Sequence, residues 1–190
     1  MPDGVGTFAC MRPNRLLPGS VVNPFTVETL SHGPLRVPGD AYTHLQFRRF
    51  AGCPVCNLHV RSFARAQPQL QQLGVRTVAF FHSSAQSMLP FQGDLPFAVV
   101  PDPQRAWYAR FGVETSPLAM LHPAAWVAGV RALGAVKASP FAGEGGMNGL
   151  PADFLVAPSG ELLAVKYGAH ADDGWSVDDV CALVRRRQAA

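Results

Sequence analysis

The sequence predicts an α/β protein: a mixed central β-sheet with helices on both faces, preceded by an N-terminal β-hairpin. Three observations carry this. Strand-like runs alternate with helical patterns through the first half of the chain, which implies parallel strands joined by crossover helices. Two late strand-like runs flank a tight turn and read as an antiparallel pair at the end of the same sheet. A single capped helix closes the chain.

The elements follow in order. Residues 1–24 are rich in Pro, Gly, Asn and Arg and read as an irregular lead-in. Phe25 to Leu30 alternates and is β-branched. Ser31-His-Gly-Pro34 is turn chemistry and Leu35-Arg-Val37 resumes the strand, so a short hairpin is expected. A further strand runs from about Thr43 to Arg49. From Val55 the residues Leu58, Phe63, Ala66, Leu70 and Leu73 continue a helical stripe, which Pro68 kinks or splits and Gly74 closes. Val75 to Phe81 is a buried strand, and Ser83 or Ser84 caps a short helix ending near Phe91. Phe97 to Val100 is another strand, and Gln104 to Phe111 a helix stopped by Gly112. Pro117 to Lys137 reads as a helix broken near Pro123, and Phe141 to Gly149 as a glycine-rich loop. Ala152–Val156 and Leu162–Tyr167 form the late hairpin around Ala157-Pro-Ser-Gly160. Ser176 caps a last helix, Val177 to Arg187, with Asp178 and Asp179 in its first turn, where negative charge suits the dipole.

The bulk numbers narrow the function classes. The 190 residues suffice for one domain with a core, and no second core or repeat is visible, so residues 1–190 are read as a single domain. Hydrophobic residues make up 48% and charged residues 15%, a globular rather than a disordered balance. A net charge of +3 is too weak to imply nucleic acid, and Arg185-Arg186-Arg187 falls at the end of a helix, where positive charge is favoured. Four cysteines in a chain this long do not make a disulfide scaffold. The first 17 residues hold no apolar run of signal-peptide length. No stretch approaches the roughly 20 apolar residues that span a bilayer. No membrane partner is therefore expected, and the cytoplasm is the expected location.

The chemistry concentrates at Cys53-Pro54-Val55-Cys56, where a strand gives way to a helix. A helix N-terminus offers a sulfur unpaired N–H groups and the positive end of the dipole, and both favour thiolate, the reactive form. A C-x-x-C motif beside a β-α-β pattern reads as a thioredoxin-like redox site. Pro54 suits the first helical turn because its missing N–H would be unpaired there. Three-residue spacing lets Cys53 and Cys56 close a disulfide across one turn. His59, three residues beyond Cys56, is a candidate to stabilise a thiolate or move a proton; a surface histidine without a role is the competing account. Arg48 and Arg49 alternate in direction, so at most one faces the cysteines. Arg48 is the candidate to supply charge there, with a solvated strand edge as the competing account. Cys-x-x-Cys-x-x-His also resembles half of a zinc site, but no second ligand pair exists in the chain. No organic or metal cofactor is implied. Cys181 reads as a small core residue, Cys10 as a bystander, and Trp107, Trp126 and Trp175 as packing residues.

Taken with Phe47-Arg-Arg-Phe50, Val78-Ala-Phe-Phe-His-Ser83, Leu95-Pro-Phe97, Asp102-Pro103, Tyr108 to Gly112 and Leu150-Pro-Ala-Asp-Phe154, the Gly52-to-His59 segment resembles the thioredoxin superfamily. More narrowly, it resembles the peroxiredoxin-like branch of the alkyl hydroperoxide reductase and thiol-specific antioxidant group. The resemblance spans Leu16 to Arg187. It implies a thioredoxin-like fold, reduction of hydroperoxides through Cys53 and Cys56, and a thioredoxin-type or glutathione reductant. It also implies that Pro151 corresponds to the cis-proline that faces the redox cysteines; a proline is tolerated at the first residue of a strand. One departure stands out. Typical peroxiredoxins place threonine three residues before the peroxide-reacting cysteine, whereas here Phe50 precedes Cys53 and Cys53 itself precedes Cys56. A thioredoxin-like register makes Cys53 the nucleophile and Cys56 the resolving thiol. A peroxiredoxin register makes Cys56 the nucleophile, with Cys53 in the threonine's place. Three functions follow as alternatives: a hydroperoxide reductase, a thiol-disulfide oxidoreductase acting on protein disulfides, and a redox sensor without fast turnover. A homodimer through exposed apolar residues is compatible with all three.

Overall fold

A computed structural model describes residues 15–115, 144, 146 and 148–189. The expected helix at 117–137, Cys10 and Trp126 lie outside the described residues. A small hairpin, β1 (Phe25–Glu28) and β2 (Pro34–Val37), comes first. The main sheet follows in chain order as β3 (Tyr42–Arg48), β4 (Val75–Phe81), β5 (Ala98–Pro101), β6 (Ala152–Val156) and β7 (Leu162–Tyr167). Its spatial order is β5-β4-β3-β6-β7. The β3-β4 and β4-β5 pairs are parallel, while β6 and β7 pair antiparallel, so the sheet is mixed as expected.

The helical stripe after the cysteines splits at Pro68 into α1 (Pro54–Arg65) and α2 (Gln67–Gln72). A proline can open a helix but cannot continue one. Gly74 then turns the chain into β4 with φ +68°, a conformation that costs glycine little. Ser84 caps α3 (Ala85–Gln92) by accepting from the Ser87 N–H. A short α4 (Ala106–Arg110) follows β5. Ser176 and Asp179 form a reciprocal capping box on α5 (Val177–Gln188), which satisfies two otherwise unpaired helix N–H groups.

The sheet carries a core on each face. Val60, Phe63, Phe81, Met88, Leu155, Val180 and Val184 pack where α1, α3 and α5 cover one side. Phe25, Val27, Leu45, Phe47, Phe80, Tyr108, Phe111 and Phe154 pack where the hairpin and α4 cover the other. Strand β3 lies at the centre and is buried on both sides. Its residues facing α4 are Leu45 and Phe47. Its residues facing α1 include His44, Gln46 and Arg48, so a polar row is sealed inside the protein. Cys181 on α5 is buried, as expected of a core residue.

The expected cis bond before Pro151 is not present. The cis X-Pro bond among the described residues is Val37-Pro38. Leu150 donates its N–H to the Glu114 carbonyl at 3.2 Å, and the Pro151 carbonyl accepts from Gly168 at 2.8 Å. These bonds lead the chain straight into β6 in the extended trans form that X-Pro bonds ordinarily take. The Pro151 ring packs close to Gly168.

Phe47 anchors the aromatic core, with ring centroids 4.7 Å from Phe80, 5.1 Å from Tyr108, 5.2 Å from Phe111 and 5.5 Å from Phe154. Replacing Phe47 with Ala is expected to cost about 3–5 kcal/mol. Urea denaturation of the variant should show a correspondingly lower midpoint with little change in slope.

Candidate active site

The carboxyl ends of the parallel strands β3, β4 and β5 lie together. In such sheets this is the edge that collects functional groups. Beyond β3 the chain makes a tight turn, with Cys53 donating its N–H to the Phe50 carbonyl at 3.1 Å, and α1 begins. The turn is held from three sides. The Ala51 N–H donates to Ser83 Oγ at 3.0 Å, while the Ala51 carbonyl accepts from Asn57 Nδ2 at 2.9 Å and Gln92 Nε2 at 2.8 Å. The Gln92 amide also bonds Asn57 Oδ1. Such a network fixes the cysteines before any substrate arrives.

Cys53 is the N-cap of α1, and its sulfur accepts from the Cys56 N–H at 3.3 Å. Ser, Thr, Asp and Asn usually fill that position, so sulfur here does the work of a threonine oxygen. Pro54 takes the first helical position, as expected. Cys53, Cys56 and Cys181 are free thiols; Cys53 is 0% and Cys56 2% exposed.

Arg49, not Arg48, is the arginine at the cysteines. Its Nη2 donates to Cys53 Sγ at 3.0 Å. Its main-chain N–H and guanidinium also bond the Cys56 sulfur. Burial pushes the Cys56 thiol up, but the Cys53 S–H, the Arg49 charge and the Arg49 hydrogen bonds together outweigh it and lower Cys56 to about 6. Cys53 moves the opposite way. Burial and its hydrogen bond to Cys56 raise it well above the ordinary thiol value, against a smaller pull from Arg49. Two thiols in contact do not both ionise readily, and the opposite directions of the pair favour the charge on Cys56.

Arg48 and His59, expected at the cysteines, belong to a separate buried network. Arg48 donates to Asp153 Oδ1 at 2.6 Å and Oδ2 at 3.3 Å, to His59 Nε2 at 2.7 Å and to Gln46 Oε1 at 3.2 Å. His44 Nε2 donates to Asp153 Oδ1 at 2.9 Å, and its Nδ1 accepts from Gln46 at 3.4 Å. The Trp175 N–H closes the carboxylate's shell at 3.1 Å. Burial raises Asp153, but the Arg48 charge and the His44 hydrogen bond outweigh it and hold the carboxyl well below its usual range. Burial first, then Arg48, pushes His59 far down, so the ring is neutral and accepts from Arg48. Neither arginine lies on a solvated edge: both are buried. Their placement follows from β3 ending at Arg48. Arg48 points under α1 with the strand's pleat, while Arg49 is already in the turn and reaches the sulfurs.

The sequence also leaves Tyr108 and His82 without a role. Tyr108 is buried, and its hydroxyl donates to the carbonyls of Arg48 and, at 3.0 Å, of Phe80, tying the ends of β3 and β4 together. Burial and then the Cys56 charge raise its own pKa. Asp102 positions it by capping α4, accepting from the N–H groups of Ala106, Trp107 and Tyr108. His82 directly follows β4 and is level with Arg49. Among the described residues, no group of three or more His, Cys, Asp or Glu side chains is placed to share a metal ion.

A family model described as AhpC/TSA antioxidant enzyme matches residues 62–170. No curated protein matches the chain. Solved structures do. The peroxidoxin BcpB from Mycobacterium tuberculosis superposes with a TM-score of 0.67 at 16% identity, over 90% of this chain and 98% of that one. A yeast mitochondrial 1-Cys peroxiredoxin gives 0.67 at 15% identity, over 92% and 77%. The Plasmodium vivax 2-Cys peroxiredoxin, in its reduced form, gives 0.68 at 13%, over 92% and 83%. These likenesses establish the thioredoxin-like fold of the peroxiredoxins.

Two outcomes follow from this geometry. Replacing Arg49 with Met should move the midpoint of Cys56 alkylation against pH from near the wild-type value of about 6 up to or past the ordinary thiol range. Replacing Asp153 with Asn leaves Arg48 buried without its counter-charge and should cost about 3–5 kcal/mol. A carboxyl whose folded pKa is depressed stabilises the fold above its ordinary pKa and loses that contribution as pH falls below it. Urea melts at about pH 7 and about pH 3 should therefore show a smaller acid-side loss in the variant than in the wild type.

Proposed function

The chain belongs to the AhpC/TSA antioxidant enzyme family, and from that premise we propose that this peroxiredoxin-like thiol oxidoreductase reduces hydroperoxides through a Cys53/Cys56 dithiol-disulfide cycle, with Cys56 as the attacking thiolate. The observation that carries the assignment is that the two thiols move in opposite directions beside Arg49, Cys56 downward and Cys53 upward.

The chemistry runs as follows. The Cys56 thiolate attacks the terminal peroxide oxygen. An S–O bond forms as the O–O bond breaks, and the electron pair leaves with the other oxygen. The terminal oxygen's own proton ends on that departing oxygen, giving an alcohol or water and a Cys56 sulfenate. The Cys53 thiol then attacks the sulfenate sulfur. The disulfide forms, and the oxygen departs as water, carrying the Cys53 proton and one from solvent. A dithiol or glutathione returns the disulfide to two thiols. The yeast 1-Cys peroxiredoxin of the same fold has its thiol resolved via glutathione and thioredoxin systems, and a reductant of that class suits this cycle.

Cys53 occupies the place that threonine holds in typical peroxiredoxins, capping the helix and donating to the thiolate while also serving as the resolving thiol. The burial of both sulfurs favours a small oxidant over a protein disulfide, which would need an exposed nucleophile. We propose a cytoplasmic location, because four cysteines in a chain of 190 residues do not make the disulfide scaffold of a secreted domain.

Stopped-flow mixing with hydrogen peroxide, followed by rapid quench, alkylation and mass measurement, tests the assignment. The wild type should form the Cys53–Cys56 disulfide far faster than a free thiol oxidises. The Cys53→Thr variant should oxidise at a comparable rate but stop at the Cys56 sulfenic acid. The Cys56→Ser variant should lose the fast step. A fast step that survives in Cys56→Ser and vanishes in Cys53→Thr would reverse the roles of the two cysteines.

A further inference from the structure

His82 is fully buried, and among the described residues neither ring nitrogen has a hydrogen-bond partner. Buried polar groups are almost always paired, because leaving one unpaired costs roughly 1–3 kcal/mol. An imidazole with both nitrogens idle therefore needs an explanation. Its location supplies one. The β3-β4 register pairs Arg48 with Phe81, so Arg49 and His82 come next to each other beyond the strand ends. The His82 ring lies edge-on to Tyr108, with centroids 5.7 Å apart. Its neighbour Ser83 holds the turn that leads to Cys53.

Gly149 closes the other side. A Cβ at that position would fall 2.8 Å from His82 Nε2 and 3.5 Å from Arg49 Cγ, so a glycine is what lets the chain pass close to both groups. The ring is therefore confined between Tyr108, Arg49 and Gly149 at the edge of the sheet that carries the cysteines. Burial first, then the charge of Arg105, lowers its pKa to about 4, with Arg49 adding to the effect. A contact with its own carbonyl, short of hydrogen-bond geometry, acts weakly the other way. The ring is thus neutral at ordinary pH, with one N–H to give and one lone pair to accept.

We propose that His82 is a substrate-contacting residue whose N–H bonds the departing oxygen of the hydroperoxide as Cys56 attacks. This inference rests on the Cys56 assignment above. In the transition state the O–O electron pair collects on the departing oxygen. Arg49 meets that charge as a cation, and the neutral His82 N–H meets it as an oriented dipole already stripped of water. No proton leaves the imidazole: the peroxide's own proton completes the alcohol or water, so His82 ends the step in its starting state. The sulfur loses two electrons and the O–O bond gains them.

The test compares two reactions of the same thiolate. Peroxide reduction develops charge on a departing oxygen, and alkylation by iodoacetamide does not. Replacing His82 with Leu should slow hydrogen peroxide reduction by about 100-fold and leave the rate and pH midpoint of alkylation unchanged. His82→Gln, which restores an N–H donor, should recover most of the loss. The Leu variant should be at least as stable as the wild type to urea, because it removes an unpaired buried polar group. A Leu variant that reduces peroxide as fast as a fast wild type would overturn the role of His82 alone. Equal losses in both reactions would do the same, assigning His82 to the sulfur or the fold. Failure of both His82→Leu and His82→Met to fold would assign a structural role and overturn it too. A wild-type peroxide rate no faster than a free thiol would overturn both the Cys56 assignment and the role of His82.

Discussion

The buried ion pair between Arg48 and Asp153 is the constraint on which the rest of this structure depends. It joins the central strand of the sheet, β3, to its neighbour β6 through hydrogen bonds at 2.6 and 3.3 Å. The same guanidinium bonds His59 on α1, and the same carboxylate accepts from Trp175 at the entry to α5. Four separate parts of the chain thus meet at one pair of charges. Burying both charges is costly, and the cost is offset only because every oxygen and most of the guanidinium find partners. A network of that kind tolerates few alternative arrangements. It fixes the height of α1 over the sheet, and with it the position of the cysteines at the start of α1.

Two consecutive arginines divide the work. Arg48 is the last residue of β3, and the pleat turns it under α1. Arg49 is the first residue past the strand, released from the pleat and bent toward the sulfurs. One residue of difference separates a structural cation from one that sets the charge of a thiol. The three groups that hold Ala51, namely Ser83, Asn57 and Gln92, keep Arg49 and Cys53 in that relation. Burial alone would keep both thiols protonated. A cation, a main-chain N–H and a neighbouring S–H act against that burial at Cys56 and lower its pKa.

Cys53 shows how a motif can be reused. A helix N-cap needs an acceptor for the N–H groups of the first turn, a place that Ser, Thr, Asp or Asn usually fills. Sulfur is a weaker acceptor but performs the same local task, and it adds a second electron donor one helical turn from the first. The depth of the site then sets which oxidants can reach it, since a sulfur 2% exposed or less admits a small molecule far more readily than a protein chain.

Much of the architecture was legible in the residues. Hydrophobic alternation marked the strands, Pro68 and Gly74 marked the helix breaks, and Ser84 and Ser176 marked caps, because these signals are local and act through backbone geometry. The strand-to-helix junction at the C-x-x-C was marked for the same reason. The tertiary structure alone decided the partners. His44, Gln46 and Arg48 alternate with apolar residues as a half-exposed strand would; only the packing of α1 over that face turns them into a buried network closed by Asp153, 105 residues beyond Arg48. The draw of Arg48 to Asp153, the trans bond before Pro151 and the enclosure of His82 all depend on groups far apart in the chain. Local pattern determines which residues can form an element. Electrostatics and solvation depend on what that element is packed against, and a sequence read along one dimension does not contain that neighbour list.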